Sequence, residues 1–91
     1  MLFMVIERFK SRDAAVAAYR RLRDEGRFLP EGLSYVASWI EPNLARCFQV
    51  MECDDARLLQ EWTLGWGDLM DFEFVPVVAS KETRAVVESF L

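Results

Sequence analysis

No histidine occurs anywhere in the chain. Its absence removes imidazole general-base catalysis, serine–histidine and cysteine–histidine nucleophiles, histidine-ligated zinc and histidine-ligated haem. Cysteine is scarce too: Cys47 and Cys53 are the only two. Both fall in or at the end of one apparent strand, roughly 20 Å apart at about 3.3 Å per residue, so they can neither bridge each other nor share a metal within one chain. Neither has a neighbouring base in sequence, which argues against a catalytic thiolate. Two unpaired, buried thiols suit a reducing compartment, and a cytoplasmic location is expected. Positive charge is in deficit: 11 Lys and Arg stand against 15 Asp and Glu, for a net charge of -4. Nucleic-acid binders of this size normally carry a basic excess. The apolar opening Met1-Leu2-Phe3-Met4-Val5-Ile6 lacks a basic flank and meets Glu7 too early to be a signal peptide or a membrane span. No metal, cofactor, nucleic acid or membrane is therefore expected.

What the chain does have is apolar and aromatic material. More than half of its 91 residues are hydrophobic, with three Trp, seven Phe and two Tyr. One domain spanning residues 1–91 is expected at this length, and a chain so short buries only a little over ~60% of its unfolded surface. The surplus of apolar residues points to a partner surface. Lys10, Arg12, Arg20, Arg21, Arg23 and Arg27 gather in the first third, but Glu7, Asp13, Asp24 and Glu25 are interleaved with them. A solvated helix face is the better reading of that cluster than an RNA or membrane patch.

Residues 2–9 are apolar almost throughout, as in a central strand covered on both sides. Ser11 is placed to cap a helix, with Asp13 in its first turn and Ala15, Ala18, Tyr19 and Leu22 on one stripe. Gly26 closes that helix, and residues 26–32 form a loop. A second strand runs over 33–41, and Pro42-Asn43 turns it into a third over 44–53. Asp54 is expected to cap a second helix carrying Leu58, Leu59, Trp62 and Trp66 on one side. A fourth strand covers 71–79, at an edge because of Pro76, and Ser80 opens a short terminal helix. The order predicts an α+β, ferredoxin-like βαββαβ domain with a C-terminal helix and a four-stranded antiparallel sheet in the order 4-1-3-2.

Right-handed crossovers put both main helices on one face of that sheet. Strand parity makes the other face apolar as well. Leu2, Met4, Ile6 and Arg8 are grouped with Cys47, Gln49 and Met51, and Phe3, Val5, Glu7 and Phe9 with Arg46, Phe48, Val50 and Glu52. A patch of roughly 17 by 19 Å, some 300 Å², is seldom left in water by a soluble monomer. Face-to-face pairing into a homodimer is expected, with room for a small apolar or aromatic ligand beneath the covered face.

The opening Met1-Leu2-Phe3-Met4-Val5-Ile6 is joined by Gly26-Arg27 with Leu29-Pro30-Glu31-Gly32-Leu33, and by Arg46-Cys47-Phe48-Gln49-Val50-Met51-Glu52. Asp54-Asp55, Trp62, Trp66, Asp68-Leu69, Asp71-Phe72-Glu73 and Pro76-Val77 complete a run over nearly the whole chain. In these residues the chain resembles a bacterial family, domain of unknown function 3303, which brings no assigned activity with it. In order of elements it is similar to the dimeric α/β barrel proteins, which include cofactor-independent monooxygenases, haem-degrading enzymes, isomerases and ligand-sensing domains. That resemblance implies a pocket tryptophan at Trp62, while the proximal histidine of the haem-degrading members has no counterpart here.

Two groups of residues are candidates for chemistry. Arg8, Tyr35, Trp39, Gln49, Met51 and Trp62 form a candidate pocket of aromatic bodies around a few polar groups. Tyr35 and Trp39 are expected to share one sheet face by strand parity, and with Gln49 to lie on the face turned toward the partner copy around a partly enclosed cavity. The competing reading is a plain interface in which Gln49 bonds across to a second copy. Glu7, Glu52 and Glu73 form a candidate carboxylate cluster, on the premise that the first and third strands are parallel and the fourth antiparallel; neighbouring carboxylates raise one another's pKa. Their competing reading is structural, with Arg8 or Arg46 as partners. Phe48, mid-strand, is expected in the core, where truncation to Ala costs about 3–5 kcal/mol. The function expected is a small homodimeric binding or interaction module. The alternative is a cofactor-independent monooxygenase or isomerase acting on a small aromatic or apolar molecule.

Overall fold

The computed structural model describes residues 1–91 as β1 (Leu2–Phe9), α1 (Arg12–Glu25), β2 (Ser34–Ile40), β3 (Arg46–Glu52), α2 (Arg57–Thr63), β4 (Met70–Val77) and α3 (Ser80–Glu88). The Ser11 side chain accepts a hydrogen bond from the Ala14 amide at 2.9 Å, and so starts α1 as its sequence implies. Gly26, at φ 82°, ends it and donates its N–H to the Leu22 carbonyl. A side chain there would be forced into the left-handed region. The start of α2 differs from expectation. Asp55, not Asp54, accepts from the Arg57 amide at 3.0 Å, and Asp54 lies exposed near the N-terminal ammonium. The helix begins a little later than its apolar spacing suggested.

The sheet order is β2-β3-β1-β4, the 4-1-3-2 order viewed from the other edge. Every neighbouring pair is antiparallel. The premise of a parallel first and third strand is thus overturned. A crossover makes β2 run along β1, and the 42–45 hairpin then turns β3 back against both. The four strands form an open sheet that does not close into a barrel within one chain. Pro76 sits on the edge strand β4, where its missing N–H costs no ladder bond.

Antiparallel register also reassigns the faces. Val5 stands opposite Gln49 and Phe74, and Phe3 opposite Met51, so odd residues of β1 share a face with odd residues of β3. The expected grouping of odd with even is corrected by this pairing. On the inner face Phe3, Val5, Met51 and Met70 meet Ala18 of α1 and Leu59, Trp62 and Trp66 of the α2 region in one buried cluster. Val5 and Met51 are completely buried. The outer face carries Leu2, Met4, Ile6, Phe48, Val50, Val75 and Val77, and no helix covers it. Phe48 is therefore half-buried on the bare face rather than in the core. Helix α3 contributes no buried residue.

Candidate functional site

A β-bulge decides which strand β2 residues reach the site. Tyr35 pairs with Met51 and Ala37 with Val50, leaving Val36 unpaired between them. An extra residue reverses the alternation of faces beyond it. Tyr35 and Ser38 thus point inward, where the Tyr35 hydroxyl meets Ser38 Oγ at 2.7 Å. Trp39 points outward beside Phe48 and is 60% exposed. The expectation that Tyr35 and Trp39 share a face is corrected by that one residue.

Between the inner face and the two helices lies a cavity of about 110 Å³ that opens to solvent. Strand β1 supplies Glu7 and Phe9, α1 supplies Ala18, Tyr19 and Leu22, and the following loop supplies Arg27. Ser38 comes from β2, Cys47 and Gln49 from β3, and Trp62, Trp66 and Met70 close the far wall. The aromatic wall is anchored: the indole N–H groups of Trp62 and Trp66 both donate to the Arg27 carbonyl at 3.0 Å. Arg21 stiffens the same corner with a bidentate pair to Asp68 at 2.9 and 2.7 Å and a third bond to the Gly65 carbonyl. A second hollow beside the start of α2, larger at about 360 Å³, is bounded by Phe3, Leu59 and Phe74 and holds no buried charged group.

Glu7 is the unusual member of the cavity beneath the two helices. It is 6% exposed, and burial pushes its pKa up from 4.5 to about 7. A hydrogen bond from the Cys47 thiol and the charge of Arg27 pull the other way without cancelling the burial. Cys47 itself is pushed up to about 12, by burial first and then by the adjacent Glu7 charge. Its thiol thus stays protonated at neutral pH and serves as a donor rather than a nucleophile. Burial likewise raises the pKa of Tyr19 above its ordinary value. The Gln49 amide is buried and makes its only side-chain hydrogen bond to the Met51 sulfur at 3.2 Å, a weak acceptor. The residue also lines the cavity.

Of the expected pocket residues, Gln49 and Trp62 line this cavity, and Tyr35 and Met51 lie on the same face beside it. The expectation that Tyr35 and Gln49 face a partner copy is thus corrected, because the antiparallel register turns them under the helices. Arg8 and Trp39 occupy the opposite face, where Arg8 pairs with Glu73 at 2.9 Å. The three carboxylates do not cluster. Glu7 faces inward opposite Cys47, Glu73 faces outward opposite Ile6, and Glu52 lies exposed at the far end of the sheet opposite Leu2. No three His, Cys, Asp or Glu side chains gather closely enough to hold a metal ion. No helix is long and apolar enough to cross a membrane. Sequence reasoning missed Tyr19, Arg27 and Ser38. The available signal for Arg27 was its place directly after the helix-ending Gly26, where the chain must fold back toward the sheet.

Fold and site together define a ferredoxin-like α+β domain with a cavity between its sheet and its helices. The chain belongs to the family described as Domain of unknown function (DUF3303), whose model it matches over residues 1–91. No curated protein and no solved structure shows a significant match to it.

Proposed function

We propose that this chain is a homodimeric small-molecule binding module, in which two copies meet through their outer sheet faces and each keeps its own cavity as a ligand seat. The observation that carries the reading is the cavity around Glu7: one buried carboxyl group, one amide and one guanidinium set among Phe9, Trp62 and Trp66. Apolar walls with a few placed polar groups are the usual composition of a ligand site. The bare outer face supports the pairing. Its apolar centre is rimmed by Arg8 with Glu73 and by Arg46 with Glu41, mixed charges that suit a self-complementary interface. Two free buried thiols fit a reducing, cytoplasmic setting.

The alternative is a cofactor-independent oxygenase or isomerase acting on a small aromatic or apolar molecule. Glu7 favours it, because a carboxyl group with a pKa of about 7 can both take and return a proton at neutral pH. Conversion of a bound compound that stops in Glu7→Gln selects the enzyme; binding without conversion selects the module.

The three tryptophans test both halves of the proposal in one ¹⁵N spectrum. Small aromatic fragments are expected to move the indole resonances of Trp62 and Trp66 and to leave that of Trp39 in place. Dilution, followed in parallel by light scattering, is expected to move Trp39 as a mass of two chains falls to one. Fragment shifts confined to Trp39 would sink the ligand seat, and a single-chain mass at micromolar concentration would sink the dimer.

A further inference from the structure

We infer that the ligand of this cavity is a small organic carboxylate: Arg27 grips its anionic end, its apolar body lies against Trp62 and Trp66, and Glu7 takes up a proton as it binds. This inference rests on reading the cavity as a ligand seat.

Arg27 stands apart from the other arginines. Arg8, Arg21, Arg23, Arg46 and Arg57 each pair with a carboxylate. Arg12, Arg20 and Arg84 project into solvent. Arg27 alone is half-buried while its guanidinium makes neither a hydrogen bond nor an ion pair. The group is nonetheless held in place. Its central carbon lies 3.6 Å above the centre of the Tyr35 ring, and that ring is fixed through its hydroxyl to Ser38. The backbone of the same residue is fixed by the two indole donors on its carbonyl. A guanidinium stacked on an aromatic face, with its donors unspent, is prepared for two parallel bonds to a carboxylate. Pre-organisation of this kind lowers the ordering cost of binding.

Size and charge narrow the ligand further. A volume of about 110 Å³ falls short of the roughly 150 Å³ apolar cavity that accepts benzene, so a single ring is seated with part of it in the open mouth of the cavity, and nothing larger is enclosed. The anionic end must then reach the solvent side of the cavity. Glu7 does not consume the Arg27 charge in an ion pair, yet it is near enough to feel that charge. A second anion beside Glu7 favours its neutral form, in which it donates a hydrogen bond instead of repelling the ligand. The other groups around Glu7 do not titrate in the same window. Cys47 on β3 is pushed up to about 12, and Tyr19 on α1 lies above its ordinary value. Strand β2 presents Tyr35 and Ser38, β4 presents Phe72, and the α2 region presents only the two indoles. Binding is thus linked to one proton, and affinity rises as pH falls through about 7.

Benzoate and its neutral counterpart benzamide provide the test, by titration calorimetry on the full chain at pH 6 and pH 8. Benzoate is expected to bind about tenfold tighter at pH 6, the ratio set by protonation of one group with a midpoint of about 7. Arg27→Met should weaken benzoate by about tenfold or more and leave benzamide within about twofold. Glu7→Gln should keep benzoate binding and abolish its pH dependence. Should Arg27→Met fail to fold, the pH dependence and the preference for benzoate over benzamide decide alone. Equal binding of both compounds, or benzoate binding indifferent to pH and to Arg27, overturns the carboxylate and leaves the ligand seat standing. Failure of both compounds to bind at millimolar concentration removes the seat and the inference together.

Discussion

Glu7 and Glu73 lie on neighbouring strands, one register position apart, and occupy opposite environments. Glu7 looks inward, is buried under the helices, and has its pKa driven up by loss of water. Glu73 looks outward and pairs with Arg8 at the exposed rim of the sheet. The contrast extends to the whole sheet. Its inner face is sealed by α1 and α2 and carries the one deeply buried carboxylate, while its outer face is equally apolar at the centre and has no cover. Apolarity alone therefore does not distinguish the core from an uncovered sheet face in this domain. What distinguishes them is which side the crossovers put the helices on, and polar groups acquire unusual chemistry only where water has been excluded.

The widest separation between the faces is expected in stability. Trp62→Ala removes a buried indole that packs edge-on against Phe72 at 5.3 Å and holds the Arg27 carbonyl. A loss of about 3–5 kcal/mol in urea unfolding is expected from the cavity and the lost bond. A loss below about 1 kcal/mol would mean that the inner face is not the core.

Glu7 sharpens the comparison through pH. Its folded pKa is raised from 4.5 to about 7 by burial, so the folded state holds a proton that the unfolded chain has already released between those values. The contribution of Glu7 to stability is therefore greatest below about 4.5, declines as pH rises toward about 7, and is level beyond it. The full decline is on the order of 3 kcal/mol, from the pKa difference and ~1.36 kcal/mol per pH unit. Glu7→Gln should flatten this profile and unfold at higher urea than the parent at pH 8. Glu73→Gln, on the exposed face, should leave the profile in place. An unchanged slope in Glu7→Gln would show that the carboxyl group is not desolvated.

The smallest effect is assigned to the bare face. Phe48→Ala is expected to change the stability of the isolated chain by no more than about 1 kcal/mol, because its ring is only half-buried in one copy. On the proposed pairing of outer faces, the same substitution should shift association measurably toward monomer in sedimentation experiments. A large stability loss without any change in association would return Phe48 to the core.

Local signals sufficed for the elements and their order. Ser11 and Gly26 bracket α1 in the way their chemistry requires, and Pro76 marks β4 as an edge. Alternation and helical spacing then led to the ferredoxin-like topology, because handed crossovers leave few ways to connect two strand–helix–strand halves. The apolar outer strip was also readable, since it depends only on alternation within single strands; the face on which Gln49 and Tyr35 lie was not, because it depends on register between strands.

Everything that joins two elements was decided by the tertiary structure. Whether odd residues of β1 face odd or even residues of β3 depends on the register, which has no local sequence marker, and a shift of one residue exchanges the faces. The unpaired Val36 separated Tyr35 from Trp39 for the same reason. Glu7, Arg27 and Cys47 are 20 residues or more apart along most of the chain that joins them. Their encounter in one cavity, and the raised pKa of Glu7, come from desolvation by helices packed over the sheet. The residue types, caps and turns of this protein are properties of short stretches of chain; its site is a property of which surfaces meet.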